Sequence, residues 1–197
     1  MRKISLWLIV GLMSCLGAKD VFYAETTKQL YLDPNSTKVI GKLLPTSQVK
    51  IIKETPTRLL LGIEGYTQEG VDNAIYYVVG KRILVAGLSK NSGAKLKVLA
   101  TQKDPETKNV YNKVYVELYA DKGDMTPDLQ ALYKKANDLY VQSCSSCHPS
   151  HEPREFGANQ WPSVVKSMIN RTGLSKDDGY LLTQYLQKHS KDFKETK

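Results

Sequence analysis

The chain has 197 residues, with 28 Lys and Arg against 20 Asp and Glu and a formal net charge of +8. Hydrophobic content of 41% and charged content of 24% are those of an ordinary globular chain of one or two small domains. The lysines are scattered, with no basic run and no interleaved aromatics, which argues against a nucleic-acid partner. Arg2 and Lys3 precede the apolar run from Ile4 to Gly17, a charged segment followed by a hydrophobic one. That run is short for a bilayer span. Residues 1–24 therefore read as a signal peptide, with Ala18 or Ala24 as the last residue removed. Leu12-Met13-Ser14-Cys15 is a weak lipoprotein-type box, so lipid on Cys15 or an uncleaved leader would give membrane association. Each version puts the body outside the cytoplasm, in the periplasm. Without residues 1–24 the net charge is +6, divided as +4 over 25–125 and +2 over 126–197.

Residues 25–120 read as a β-rich module. Gln48–Lys53 and Arg58–Ile63 flank Glu54-Thr55-Pro56-Thr57, a turn by composition. Ile75–Val79 and Arg82–Ala86 sit around Gly80-Lys81, a tight-hairpin signal. Val110 to Tyr119 alternates in the pattern of a long strand with one buried face, and Lys95–Thr101 is its expected partner. Short strands at this spacing suggest a small SH3-like barrel. Tyr66, Tyr76, Tyr77, Tyr111, Tyr115 and Tyr119 would line a recognition groove or, more commonly, stand half-buried on the sheet. The module has no Cys, no His and no phosphate loop, so binding or scaffolding is its default role.

Residues 120–125 read as a linker. Thr126-Pro127 would open a helix, Thr as cap and Pro in the first turn. Leu129, Leu132, Tyr133, Ala136, Leu139 and Tyr140 follow at helical spacing. The helix delivers Cys144-Ser145-Ser146-Cys147-His148, which is the C-x-x-C-H attachment motif for c-type haem. Each thiol adds across one vinyl group, and the next residue falls under the iron, so His148 is the expected proximal ligand. A thioredoxin-like dithiol would need a preceding strand and a βαβ setting. Zinc would need four N or S ligands, and only Cys15, His151 and His189 remain. After a loop from Pro149 to Gln160, Pro162 opens a second helix ending near Gly173, with Val164, Val165, Met168 and Ile169 on one side. Ser175 and Asp178 form a capping box for the last helix, where Leu182, Tyr185, Leu186 and His189 share a face.

The expected fold is thus α+β: an SH3-like barrel followed by a three-helix cytochrome c-type domain over 126–193, holding one covalent haem c. Met168 is the first candidate for the sixth iron ligand and would favour ferrous iron. Its other reading is a core methionine. His189 is the alternative ligand, an open site is the third option, and His151 is too tethered to reach the far face.

Tyr140, the Cys144–His148 motif, Glu152-Pro153 and Ala158-Asn159-Gln160-Trp161, with Ile40–Thr46 and Lys81-Arg82-Ile83-Leu84 upstream, resemble the carboxy-terminal half of the TorC-type pentahaem cytochromes of trimethylamine N-oxide respiration. The resemblance implies an electron carrier rather than an enzyme. Its acceptor would be a periplasmic molybdenum-cofactor reductase for an N-oxide or S-oxide. Those cytochromes begin with a membrane-anchored tetrahaem region that takes electrons from quinol. A chain with one C-x-x-C-H is expected to rely on a separate membrane quinol-oxidising cytochrome as donor. The competing classes are a haem sensor with a labile sixth site, a carrier to another oxidase or reductase, and a peroxidase using Arg154, the last lacking a visible acid–base pair.

Overall fold

The computed structural model describes residues 21–146 and 148–194. The strands are β1 (Val21–Ala24), β2 (Lys28–Tyr31), β3 (Gly41–Leu43), β4 (Gln48–Glu54), β5 (Arg58–Gln68), β6 (Val71–Tyr76), β7 (Leu84–Leu88), β8 (Lys97–Lys103), β9 (Val110–Asp121) and β10 (Met125–Thr126). The helices are α1 (Leu129–Cys144), α2 (Trp161–Ile169) and α3 (Lys176–Lys188). Strands first and helices after them give an α+β chain. Among the described residues no helix is long and apolar enough to cross a membrane.

The long strands β5 and β9 form the spine, paired from Arg58↔Asp121 to Gln68↔Tyr111. Side chains alternate across a strand with period two. Leu59, Leu61 and Ile63 therefore turn inward to meet Val114, Val116, Leu118 and Ala120 in the barrel core. The ring β5–β6–β7–β3–β2–β9 closes on itself, a six-stranded barrel, while β4, β1 and β10 extend from β5 and β8 extends from β9. The outer edge of β5 is shared, its first half pairing with β4 and its second with β6. Gly65 lies where the partners change. A Cβ there would stand 2.5 Å from Ile75 Cγ2 and 2.6 Å from the Tyr76 carbonyl oxygen, so the missing side chain lets β6 approach.

The β4–β5 and β8–β9 pairings match the sequence expectation. Of the tyrosines expected on the sheet, Tyr111 is buried and the other five are half-buried. The hairpin expected at Gly80-Lys81 is different. Strands β6 and β7 do pair, Ala74 opposite Gly87, but residues 77–83 form the connection in place of a two-residue turn. A bulge between Ile75 and Tyr76 ends the ladder early, and the loop, with Gly80 at φ +74°, carries Lys81 and Arg82 out to the helices.

Two further expectations are corrected. Residues 120–125 are not a free linker: Ala120 and Asp121 finish β9, the chain turns through Gly123 and Asp124 at positive φ, and β10 pairs with β1. Thr126 therefore belongs to the sheet. The cap of α1 is Asp128, whose Oδ1 accepts from Ala131 N at 3.0 Å. Val21–Ala24, the end of the expected leader, form a strand between β4 and β10, with Ala24 fully buried. Residues 1–20, including Cys15 and Ala18, lie outside the described residues.

The helices pack around Ala136, Tyr140, Trp161, Leu181, Leu182, Tyr185 and Leu186, a core separate from that of the barrel. The expected capping box at Ser175 and Asp178 is present. Helix α2 carries Pro162 in its first turn and stops at Ile169, earlier than Gly173.

Helix α3 is buried on its polar side as well, because that side sits on the barrel. Gln184 Nε2 donates to the Leu84 carbonyl at 2.8 Å, and Gln187 Nε2 donates to those of Arg82 and Ala158 at 3.2 and 2.9 Å. Lys188 Nζ donates to the Thr46 carbonyl at 3.0 Å and lies 4.5 Å from the Tyr77 ring centroid. Lys81 pairs with Asp192 at 2.7 Å. Burial would raise the Asp192 carboxyl, but hydrogen bonds from Lys81, Ala158 and Ser190 outweigh it and hold the group below its ordinary value of 3.8. A carboxylate depressed in the folded state stabilises above its unfolded pKa and loses that contribution as pH falls through the folded one. Thermal stability is therefore expected to drop on acidification below 3.8, with a shallower drop in Asp192→Asn. Identical acid limbs in melting curves of the two proteins would refute this.

Candidate functional site

Helix α1 ends on Cys144, and Ser145 closes it through a backbone bond to the Val141 carbonyl at 3.3 Å. The helical face that buries Leu132, Ala136 and Tyr140 carries Cys144 to the mouth of a narrow crevice. His148 follows on the loop. Its Nδ1 lies 2.8 Å from the Pro149 carbonyl oxygen. A carbonyl only accepts, so Nδ1 carries the hydrogen and Nε2 keeps its lone pair for a ligand.

The crevice is narrow and opens to solvent, about 410 Å³ with the solvent at its opening included. It is lined by Tyr140 and Cys144 of α1, by His148 and His151 of the loop, and by apolar residues of α2 that include Met168. Three of the sequence candidates, Cys144, His148 and Met168, thus meet at one place. Cys147 lies outside the described residues. His189 does not join them. It caps α3, its Nδ1 bonds the Tyr185 carbonyl at 2.7 Å, and its ring packs 4.8 Å from Tyr133 and 4.3 Å from Tyr185. Arg154 borders a different cavity, with Lys188 and His189.

The loop after His148 is tied back at three points. Tyr140 hydroxyl donates to the His151 carbonyl at 2.8 Å, and Trp161 Nε1 to that of Pro153 at 3.0 Å. His151 Nδ1 lies 2.9 Å from both carboxylate oxygens of Glu155, which holds its ring. Burial, with Cys144 and Glu155 nearby, pushes the Tyr140 hydroxyl up to about 12, so it stays a donor. Burial also pushes the Cys144 thiol up.

The chemistry of this crevice fits a haem c. The lining is almost wholly apolar, as a flat macrocycle requires. The donors are a thiol, an imidazole with the outer nitrogen tied, and a thioether, the set used for attachment and axial ligation. Helix α2 supplies an independent sign: its apolar side is complete, yet only Trp161 is buried, and Val164, Val165, Met168 and Ile169 stay half-buried along the crevice. A strongly one-sided helix normally buries that side.

Comparison with known proteins adds the family. The family model described as TorC third cytochrome c domain matches residues 17–125. The chain belongs to this TorC family. It is 30% identical over 174 residues to the cytochrome c-type protein TorC of Escherichia coli strain K12, covering 88% of this chain and 45% of that protein. It is 32% identical over 151 residues to the cytochrome c-type protein TorY of Haemophilus influenzae, covering 77% and 41%. TorY of Escherichia coli O157:H7 is 26% identical over 178 residues. The chain therefore spans less than half the length of these TorC and TorY relatives. No solved structure matches. The residues matched by the TorC family model hold neither Cys nor His and coincide with the barrel, so the C-x-x-C-H lies downstream of the match.

The residues that sequence reasoning missed are those joining the two halves: Asn159, Gln184, Gln187 and Lys188. Gln184, Gln187 and Lys188 read as the solvated side of a helix, with no local pattern to mark them as buried, and Asn159 is exposed ahead of α2, where nothing local marks its partners in the barrel.

Proposed function

We propose that the chain is a periplasmic monohaem c-type cytochrome that passes electrons from a membrane quinol-oxidising cytochrome to a terminal reductase. The proposed acceptor is a molybdenum-cofactor N-oxide or S-oxide reductase. The observation that carries the reading is the crevice in which Cys144, His148 and Met168 converge against a half-buried apolar helix side. TorC membership supports the direction of the reading, and the acceptor rests on likeness to the TorC cytochromes alone.

Haem, when bound, supplies the one-electron change at iron. The chain does the rest. Cys144 and Cys147 fix the macrocycle through two thioethers. His148 presents Nε2 while the Pro149 carbonyl holds its ring. Met168 presents its thioether from α2, and Val164, Val165, Ile169 and Leu182 keep water from the faces. The role is that of a carrier and not of an enzyme. On this reading residues 126–193 are the cytochrome c-type unit and the preceding barrel is an SH3-like module. The leader ends upstream of Val21, since Ala24 is fully buried in the sheet.

The test is rapid mixing of the reduced protein with candidate reductases and their oxides. Oxidation in the presence of an N-oxide reductase and its substrate, and not with the reductase alone, is the expected result. A protein that stays reduced with every such pair refutes the acceptor.

A further inference from the structure

Besides α3, the barrel touches the helical half at the residues just ahead of α2. Ala158 is fully buried, its N–H donates to Asp192 Oδ1 at 2.7 Å, and its carbonyl accepts from Gln187 Nε2. Asn159 spans the junction. Its Oδ1 accepts from Arg82 N at 2.6 Å and its Nδ2 donates to the Gly80 carbonyl at 3.2 Å. Gln187 Nε2 reaches the Arg82 carbonyl from the other side. The 80–84 segment of the barrel and the 158–159 step are thus laced together.

Beyond this anchor α2 buries little, with Val164 and Val165 half-buried against the helical core. Trp161 is its one buried residue. Its far end rests Ile169 against Gly179 of α3, and α3 is itself fixed to the barrel by Gln184, Gln187 and Lys188. Met168 sits seven residues past Trp161, about 10 Å along the axis at 1.5 Å per residue. A tilt of about 10° at the anchor then displaces it by about 2 Å.

We infer that the barrel is the structural floor of the redox centre, and that Asn159 and Gln187 are positioning residues that fix the Met168 helix over the crevice. The inference rests on the carrier reading above, because it gives α2 its ligand role. It differs from a docking role for the barrel, in which the helical half would be indifferent to these bonds.

The test uses the full holoprotein with Asn159→Ala, which removes two bonds at an exposed side chain, and Gln187→Glu, which keeps shape but loses the donor. Both are expected to retain covalent haem by mass. Amides of 161–169 should exchange about tenfold faster, the loss of these bonds acting through local opening. Carbon monoxide should bind the ferrous form faster, and the potential should fall. Asn159→Asp, which keeps the acceptor for Arg82 N, should give an intermediate result. Unchanged exchange in 161–169 overturns the inference. So does faster exchange with potential and carbon monoxide binding as in wild type, which would be a purely structural contact. A wild-type protein without haem overturns the carrier reading, and the positioning role with it.

Discussion

Replacement of both Cys144 and Cys147 by alanine is expected to give a colourless chain with the mass of bare polypeptide, in which the helical half is lost while the barrel stays folded. The reason lies in α2. Fully burying an aliphatic side chain is worth about 1.5–3 kcal/mol relative to exposure, so covering four half-buried ones contributes about 3–6 kcal/mol. A three-helix unit of this size has little stability to spare, since a core this small supplies only about 3–5 kcal/mol net. The barrel has its own core and a closed ring of strands, and it does not draw on the crevice. Circular dichroism should therefore show loss of helix with strand retained, and limited proteolysis should cut beyond Thr126. The same mass spectra, taken on exported protein, also read the amino terminus, expected upstream of Val21. A coloured double variant of increased mass, or one as stable as wild type, would refute the assignment of these thiols.

How much of this was legible beforehand follows from the range of the forces involved. The spine strands were, because Leu59, Leu61, Ile63, Val114, Val116 and Leu118 repeat with period two and every one of them is buried. The crevice was legible in outline too: C-x-x-C-H is local, and Met168 lies on an apolar stripe two helical turns past Pro162. What was not legible depends on partners far along the chain. Val21–Ala24 looks like the tail of a leader until β4 and β10 are found beside it. Residues 120–125 have linker composition, but Lys28 Nζ donates to the Gly123 carbonyl at 2.8 Å and fixes the turn. Gln184, Gln187 and Lys188 read as the wet side of α3, and only the backbone carbonyls of Thr46, Arg82 and Leu84 explain their burial. These contacts also give the resemblance a place in space. Three of the runs that suggested it send residues to this junction: Thr46, Arg82, and Ala158 with Asn159. Deleting the barrel would strip the buried Gln184 and Lys188 of their acceptors and leave Gln187 with the Ala158 carbonyl alone.

The second large effect is expected at the sixth ligand. Met168→Ala should abolish the weak far-red band that marks methionine–iron ligation, open the ferrous iron to carbon monoxide, and lower the potential by on the order of 0.1–0.3 V, within the roughly 0.8 V that axial ligands command. His189→Ala should leave all three unchanged. The contrast follows from where the two side chains stand. Met168 lines the crevice that holds Cys144 and His148. His189 is spent elsewhere: its Nδ1 bonds the Tyr185 carbonyl, its ring lies between Tyr133 and Tyr185, and its backbone closes α3. To reach the iron it would have to leave that bond and both rings and unwind the helix end that carries Lys188 to Thr46. His151 is no substitute while its Nδ1 faces Glu155. A spectrum unmoved by Met168→Ala but converted to a carbon monoxide-binding form by His189→Ala would reverse the assignment, because two packed rings would then have yielded to the iron.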